Sequence, residues 1–388
     1  MRAVFLACSW TWCIGMFFPV YLIGDFGVWG WAAFAVPNVV GAGAMGWVLR
    51  RPGASEALIG RHLTAARWFS IVTVQFHIAF GSWFFEAMLA GPVGQRYVAG
   101  ATSVALMLVI GCALAGLGSK GWYRLAVVAF AASALAAIAA SMTGSTLHWP
   151  DSQARHPLTD LAFATPVLVA GFALCPYLDL TFHRVRRETP GRAGEAAFWV
   201  GFIACFTPMI VLTLFYAGGM LGGSVVSLYI VGHIFVQSTF TVGAHLRELF
   251  ENGFLRTKDP YAAPTIRSAA LRTASALALG LAPCAVVLLT YLDPIRENYS
   301  FRRLVYECFM SFYGLIFPAY FWIVVIERGL SRGTRLGLFV AAVLLAAPCF
   351  WFGYIEQQYA WLAPGVAIPT LLPVVWRRFA AGKAQNQS

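Results

Sequence analysis

An apolar stretch, GFALCPYLDLTFHR at 171–184, contains two side chains that could handle ions or protons. Asp179 and His183 are four residues apart, so on a helix they would share one face. Pro176 removes a backbone donor and clashes with the preceding turn, which predicts that the helix opens near it, around 172–176. If the stretch spans a membrane, Asp179 is a candidate functional residue, because charge at that depth is costly. Alternatively, His183 and Arg184 mark the end of a span and Asp179 pairs with them or with another helix.

A second candidate set is a row of polar residues that recur every four positions between 222 and 246. Its members are Tyr229, His233, Gln237, Thr241 and His245. A spacing of four drifts by about 40° per step on a helix of 3.6 residues per turn, which makes a curling polar stripe. Such a stripe is expected to face the interior of a helix bundle. It would either make hydrogen bonds between helices or line a pathway.

A third candidate is His77, which shares a helix face with Ser70 and Thr73. A histidine can change its charge near neutral pH, which suits proton coupling, while a hydrogen bond in the core is the alternative. Two motifs of catalytic sites are absent: the chain has no HExxH and no phosphate-binding GxxxxGK[ST]. None of the eight cysteines forms a CxxC pair. We therefore expect neither an enzyme nor a resident cofactor, apart from coupling to Na⁺ or H⁺.

The composition indicates which elements position these residues. Of 388 residues, 60% are hydrophobic and 11% are charged, and the mean hydropathy is +0.71. Apolar runs of about 20 residues are typical of membrane-spanning helices. The sequence predicts an all-α polytopic membrane protein with twelve spans, at 3–23, 29–49, 65–89, 97–117, 122–142, 159–182, 196–218, 222–246, 269–292, 301–327, 335–354 and 357–376.

The net charge of +11 is distributed unevenly along the chain. With these spans, 22 of the 27 lysines and arginines fall on one side of the membrane. This bias predicts that both termini are cytoplasmic, and it places the protein in the cell membrane, in bacteria the inner membrane. The basic balance thus indicates topology and a lipid bilayer as partner, and it does not indicate nucleic-acid binding.

The predicted outer loop at 143–158 divides the spans into five and seven. The first span contains GMFFPVY at 15–21, and the sixth contains GFALCPY at 171–177. Because five is odd, a second set of five would enter the membrane from the opposite side, as in inverted repeats. We therefore expect one repeat at 1–142, a second at 159–327, and two added spans with a tail at 328–388.

In span number, cytoplasmic termini and Gly/Pro interruptions, the chain resembles the LeuT-fold transporters of the amino acid–polyamine–organocation superfamily, which include sodium/solute symporters. The resemblance implies transport of a small solute by alternating access, coupled to Na⁺ or H⁺. In these proteins the first, third, sixth and eighth spans enclose the substrate and ion sites. Ser238 and Thr239 resemble the Ser/Thr pair of a sodium site, with carbonyl groups near residues 12–15 as partners.

The resemblance implies a substrate or ion pathway in the interior of the bundle. Its candidate residues are Trp12, Gly15, Pro19, His77, Gly171, Cys175, Pro176, Asp179, Tyr229, His233 and Gln237. The substrate would be a small molecule or an ion, and a carboxylate at the site would suit an amine-bearing solute. The sequence gives neither the substrate nor the oligomeric state.

Other functions remain open at this point. The Nramp metal transporters share the LeuT fold and carry Met-Pro-His in their sixth span, where this chain has CPYLDLTFH. Their first-span Asp-Pro-Gly-Asn motif is missing here, which argues against metal transport. A membrane sensor or assembly subunit could keep the fold without transporting. An intramembrane enzyme would instead use His77, His233 and Asp179 as ligands or acid–base groups.

Overall fold

A computed structural model describes residues 1–89, 93–143, 154–221, 227–251 and 307–385, and these residues form helices and short connections without strands. The helices are α1 Arg2–Trp10, α2 Cys13–Phe26, α3 Val28–Val48, α4 Ala54–Met88, α5 Val93–Ala115, α6 Ser119–Met142, α7 Leu158–Leu174, α8 Leu180–Glu188, α9 Arg192–Leu221, α10 Leu228–Glu251, α11 Glu307–Ile326, α12 Arg332–Ile355 and α13 Tyr359–Ala380.

Nine of the helices in these ranges are long and apolar enough to cross a membrane, and the bent pair α1–α2 makes a tenth if it counts as one span. The expected all-α, multi-pass membrane protein is therefore confirmed. The eighth predicted span corresponds to α10, whose polar stripe lowers its hydropathy, and the ninth, at 269–292, lies outside the described residues. Twelve spans and a five-plus-five repeat remain predictions.

The helices divide into an inner set and an outer set. In α4, 89% of the most apolar window is buried, whereas in α6 only 22% is buried. Outer helices expose large apolar side chains, such as Val109 at 67%, Leu135 at 65% and Leu344 at 68%. Water would not tolerate so much contiguous apolar surface, so these faces contact lipid. The inner helices α1, α2, α4, α8 and α10 carry the polar candidates.

The first span is interrupted, but earlier than the GMFFPVY stretch suggested. The helix stops after Trp10 and restarts at Cys13 with a bend of 55°. Between them, the backbone of Trp12 is extended (ψ 167°). Helix α2 then runs through both Gly15 and Pro19, so the expected opening at 15–21 is wrong in position. A proline is tolerated inside a membrane helix where neighbouring groups satisfy the nearby backbone.

The sixth span is interrupted close to where its proline predicted. Helix α7 ends at Leu174, a 3₁₀ turn covers Cys175–Leu178, and Asp179 has an extended backbone (ψ 112°) before α8 begins. Pro176 lies at the start of the 3₁₀ turn, where its missing N–H is not needed. Asp179 therefore lies at the break itself.

Gly171 has a different role from the flexibility that the sequence suggested. It lies inside α7, and a Cβ atom there would be 2.6 Å from the backbone carbonyl oxygen of Tyr313 in α11. The glycine thus allows the backbones of α7 and α11 to approach closely, as small residues do in membrane bundles.

We expect Gly171→Ala to lower the melting temperature of the detergent-purified protein. The clash is with backbone, which cannot rotate away, and such overpacking costs about 1–3 kcal/mol. The control is Gly232→Ala in α10, where nothing lies within 4 Å of the added Cβ. That change should leave the melting temperature unchanged or raise it slightly, since alanine favours helix by about 1 kcal/mol. Equal melting temperatures of the two variants would contradict the packing role.

Candidate functional site

The two helix breaks lie side by side in the interior of the bundle. The Thr181 hydroxyl at the start of α8 is 3.2 Å from the Ser9 hydroxyl near the end of α1. Next to this contact, the rings of Trp10 and Phe182 are 4.9 Å apart. We call the region where the breaks meet the break site. It comprises Ser9, Trp12, Ser70, Thr73, His77, Asp179, Thr181, Thr241, His245 and Tyr313, all of them buried.

Asp179 caps the N-terminus of α8. Its Oδ1 accepts hydrogen bonds from the backbone N–H and the hydroxyl of Thr181, both at 2.7 Å. An N-terminal cap satisfies a free backbone donor, and the helix dipole there favours a negative charge. The second oxygen, Oδ2, is fully buried and has no hydrogen-bond partner among the described residues. One oxygen of the carboxylate therefore stabilises the helix start, and the other is available to bind a further group.

His245 of α10 is the residue that the free oxygen faces. Its Nε2 lies 3.9 Å from Asp179 Oδ2, which is too long for a hydrogen bond. Its Nδ1 is anchored 3.0 Å from the Ser70 hydroxyl. Like Oδ2, Nε2 is buried without a hydrogen-bond partner in the described part of the chain. The two free atoms therefore face each other across a gap that a small side-chain movement would close to hydrogen-bond distance.

Aromatic rings enclose this pair. Trp12 lies in the first break, with ring centroids 6.4 Å from His245, 5.3 Å from Phe69 and 5.0 Å from Tyr313. The Tyr313 hydroxyl is 3.1 Å from that of Thr73. Trp12 therefore forms a wall of the break site, where it is only 2% exposed.

His77 holds the start of α2. Its Nδ1 lies 2.7 Å from the Thr73 carbonyl oxygen, which can only accept, so Nδ1 carries the proton. Its Nε2 then accepts a hydrogen bond from the backbone N–H of Cys13, at 3.3 Å. Cys13 is the first residue of α2, where a backbone N–H lacks a helical partner. Neutral His77 thus caps a helix. A second proton on Nε2 would place two N–H donors, that of His77 and that of Cys13, against each other.

His183 is also fixed by two hydrogen bonds. Its Nε2 donates to the carbonyl oxygen of Tyr177 at 2.9 Å, and its Nδ1 lies 2.7 Å from the hydroxyl of Ser55 in α4. It therefore joins α8, the 3₁₀ turn and α4. Cys175 makes a similar link, since its thiol donates to the Tyr313 carbonyl at 3.5 Å. Neither side chain is free to bind a substrate in this conformation.

The residues of the polar stripe on α10 lie in different surroundings, some buried against other helices and one exposed at the surface. Gln237 donates to the Ser133 hydroxyl of α6 at 2.7 Å, and His233 is buried with both ring nitrogens unbonded by any described residue. Tyr229 is 46% exposed, so the expectation that it faces the interior is wrong. The reason is the drift of about 40° per step, which over four steps turns one end of the stripe away from His245.

The sodium-site prediction named Ser238 and Thr239, but neither reaches the first break in the described contacts. The Thr239 hydroxyl donates to the Phe235 carbonyl of its own helix at 2.7 Å, and the Ser238 hydroxyl is buried without a described partner. Thr241 is the side chain that makes this contact. Its hydroxyl lies 3.1 Å from the Cys8 carbonyl and 3.5 Å from the Thr11 carbonyl. These three oxygens are the kind of ligands that hard cations prefer.

Metal ligands do not cluster in the part of the chain that is described. No group of three or more His, Cys, Asp or Glu side chains there could hold a metal ion. Asp179 and His245 form a pair to which no described residue adds a third ligand of these types.

Ion pairs fix the C-terminal half of α8 to α10. The Arg184 guanidinium binds both oxygens of Glu248, with its Nη2 at 3.0 Å from Oε2, and it lies 2.5 Å from Glu251. Arg184 and Glu248 are 8% and 1% exposed. A buried charge without its partner is strongly destabilising, so the pair restricts the position of α8.

The same network reaches α6 through Glu188, the last residue of α8. Its carboxylate accepts hydrogen bonds from the hydroxyls of Ser119 and Tyr123, at 2.6 and 2.5 Å. Partial burial favours the neutral acid, but these bonds and the positive charges of Arg184 and Arg247 outweigh it and lower the pKa of Glu188. The carboxylate thus remains charged and links α6 to α8.

Comparisons with known proteins give no match: no family model, no curated protein and no solved structure resembles the chain significantly. The geometry of the break site is therefore the basis for a functional proposal.

The ion pair gives a direct stability prediction. Arg184→Gln should destabilise the protein by about 3–5 kcal/mol, because it leaves Glu248 charged, buried and poorly paired. The double variant Arg184→Gln/Glu248→Gln removes both charges and should recover at least half of that loss. Thermal denaturation in detergent measures both effects. If the single and double variants melt at the same temperature, the pair does not couple α8 to α10.

Proposed function

We propose that the chain is a secondary active transporter, which moves a small solute by alternating access and is coupled to H⁺ or Na⁺. One observation carries the proposal: two interrupted helices meet at a buried carboxylate and imidazole whose free atoms face each other. Interrupted membrane helices provide unpaired backbone groups and helix ends at the middle of the bundle, where substrates and ions can bind. Ionisable residues at that depth are rare outside such pathways.

The architecture that we propose is the inverted repeat of the LeuT-fold symporters, with twelve spans and both termini cytoplasmic. Three features support it. The breaks fall in the first and sixth predicted spans, they adjoin each other, and the residues around them come from α4 and α10, the third and eighth predicted spans. The expected outcome for the undescribed segment 269–292 is a further span.

For H⁺ coupling, the Asp179–His245 pair is the proposed carrier. Each member keeps one atom anchored, to Thr181 or to Ser70, so the geometry survives a change of protonation on the other atom. A shared proton would remove the charge from the interior, which lowers the cost of moving α8 past its neighbours. Proton release to one side of the membrane would restore the charge.

For Na⁺ coupling, the proposed ligands are the Thr241 hydroxyl and the carbonyls of Cys8 and Thr11. A cation there would tie α1 to α10 at the first break. It would replace the hydrogen bond that Thr241 now donates, so ion binding and the position of α1 would be linked.

The proposed substrate is a small solute with an amine. The free Asp179 oxygen offers a negative charge, and Trp12, Phe69 and Tyr313 offer aromatic faces next to it. A cation gains from both, by charge pairing and by contact with the ring faces. The rings now pack on one another, so the structure corresponds to a closed site that must open to load.

Asp179→Asn should abolish uptake driven by a pH gradient. The amide keeps the size of the side chain but cannot carry the proton. The measurement is uptake of labelled small amines into proteoliposomes, with H⁺ and Na⁺ gradients imposed separately. The matched control is Asp160→Asn, since Asp160 begins the same span but is partly exposed and pairs with His156 at 3.7 Å. Uptake that is insensitive to the Asp179 change would remove the pair from the mechanism.

Thr241→Val should abolish uptake driven by a Na⁺ gradient and leave pH-driven uptake intact. Valine has the shape of threonine without the hydroxyl ligand. Thr239→Val is the control, because that hydroxyl bonds only its own helix in the described contacts. If the wild-type protein moves no solute under either gradient, the transport proposal itself fails, and a sensor or assembly role becomes the better explanation.

A further inference from the structure

A basic cavity lies at the end of the bundle where α1, α6 and α9 begin. Its volume is about 600 Å³. Arg2 of α1 and Lys120 and Arg124 of α6 form its charged side. Its opposite side consists of small apolar residues of α9, among them Ala196 and Val200. The cavity shares no lining residue with the break site, and the described residues that line it include no acidic side chain.

The positive charge of this cavity is not compensated by the described residues. No ion pair joins Lys120 or Arg124 to a carboxylate in the described ranges, and the Arg2 guanidinium lies 5.7 Å from the ring centre of Tyr123. The nearest acid, Glu188, binds the Tyr123 hydroxyl and is engaged with Ser119. Tyr123 therefore lies between the two regions and contacts both, since its hydroxyl binds Glu188 and its side chain also meets Arg2.

The apolar side of the cavity continues into the lipid-facing surface. Val200 is 51% exposed, and Ile203, one turn further along α9, is 57% exposed. The basic residues lie in the first turns of α1 and α6, which is the level of the lipid headgroups if these helices span the membrane. A ligand with a negative headgroup and an apolar tail would match both sides of the cavity.

We propose that this cavity binds the phosphate headgroup of an anionic phospholipid, with an acyl chain along α9. Basic pockets between membrane helices are suited to such headgroups, because lysine and arginine near an anionic lipid surface attract it strongly. A free phosphate would use the basic side chains but not the apolar surface at Val200. A bound lipid would join the start of α1 to α6 and α9. This site does not depend on the transport proposal.

The test measures lipid binding to the full-length protein purified in detergent. Phosphatidylglycerol is titrated, and bound lipid is counted by native mass spectrometry. Phosphatidylcholine serves as the zwitterionic comparison and glycerol 3-phosphate as the free headgroup competitor. We expect phosphatidylglycerol to bind at least tenfold more tightly than phosphatidylcholine, and glycerol 3-phosphate not to displace it at equal concentration.

The variant that tests the cavity is the triple change Arg2→Gln, Lys120→Gln and Arg124→Gln. It should weaken phosphatidylglycerol binding about 100-fold, since each basic residue near an anionic lipid contributes about fivefold. Arg124→Gln alone should weaken binding about fivefold, and it provides a milder test if the triple variant is unstable.

The matched control removes three other exposed arginines that the predicted topology puts on the same side: Arg50→Gln, Arg51→Gln and Arg61→Gln. Arg50 also lies over an aromatic ring, 5.3 Å from the centre of Trp47, as Arg2 lies over Tyr123. We expect its phosphatidylglycerol affinity to fall much less than that of the cavity variant, because these three arginines do not line the cavity. Equal losses in both triple variants, equal binding of the two lipids, or displacement by glycerol 3-phosphate would each overturn the proposal.

Discussion

The structure depends on a carboxylate that is completely buried and must still be stabilised. Asp179 meets this constraint by capping α8, so a single side chain both starts a helix and keeps one oxygen free. The cap is possible only because the preceding backbone leaves the helix at the 3₁₀ turn. The break, the direction of α8 and the contact with His245 therefore follow from one local interaction. If Asp179 were inside a continuous helix, its charge would have no backbone donor.

The first break has no such local cause. The break consists of Thr11 and Trp12, so neither glycine nor proline causes it. Side chains of other helices stabilise it. His77 of α4 accepts from the first N–H of α2, and Thr241 of α10 donates to the Cys8 carbonyl of α1. These bonds replace some of the backbone hydrogen bonds that are lost where the helix is interrupted. The inner helices thus stabilise one another's irregular backbone, and the apolar outer helices keep lipid away from it.

Three buried histidines illustrate why residue type alone does not assign a role. His77 and His183 use both ring nitrogens for hydrogen bonds to fixed groups, which makes them structural in this conformation. His245 uses one nitrogen and presents the other to Asp179. His77 and His245 occur in apolar stretches beside small polar residues, whereas His183 precedes a run of arginines in α8. The difference lies in which partner the fold brings to the second nitrogen.

The sequence by itself determined the membrane class, most of the spans and the break at Pro176, because hydropathy and proline geometry act over a few neighbouring residues. It also named Asp179, Trp12 and the stripe that contains His245. Only the tertiary structure decided that Asp179 faces His245, that Thr241 and not Ser238 or Thr239 reaches α1, and that Tyr229 is exposed. These outcomes depend on how each helix is rotated about its axis. That rotation is set by packing between residues far apart in the chain, such as Ser9 with Thr181 and Gly171 with Tyr313.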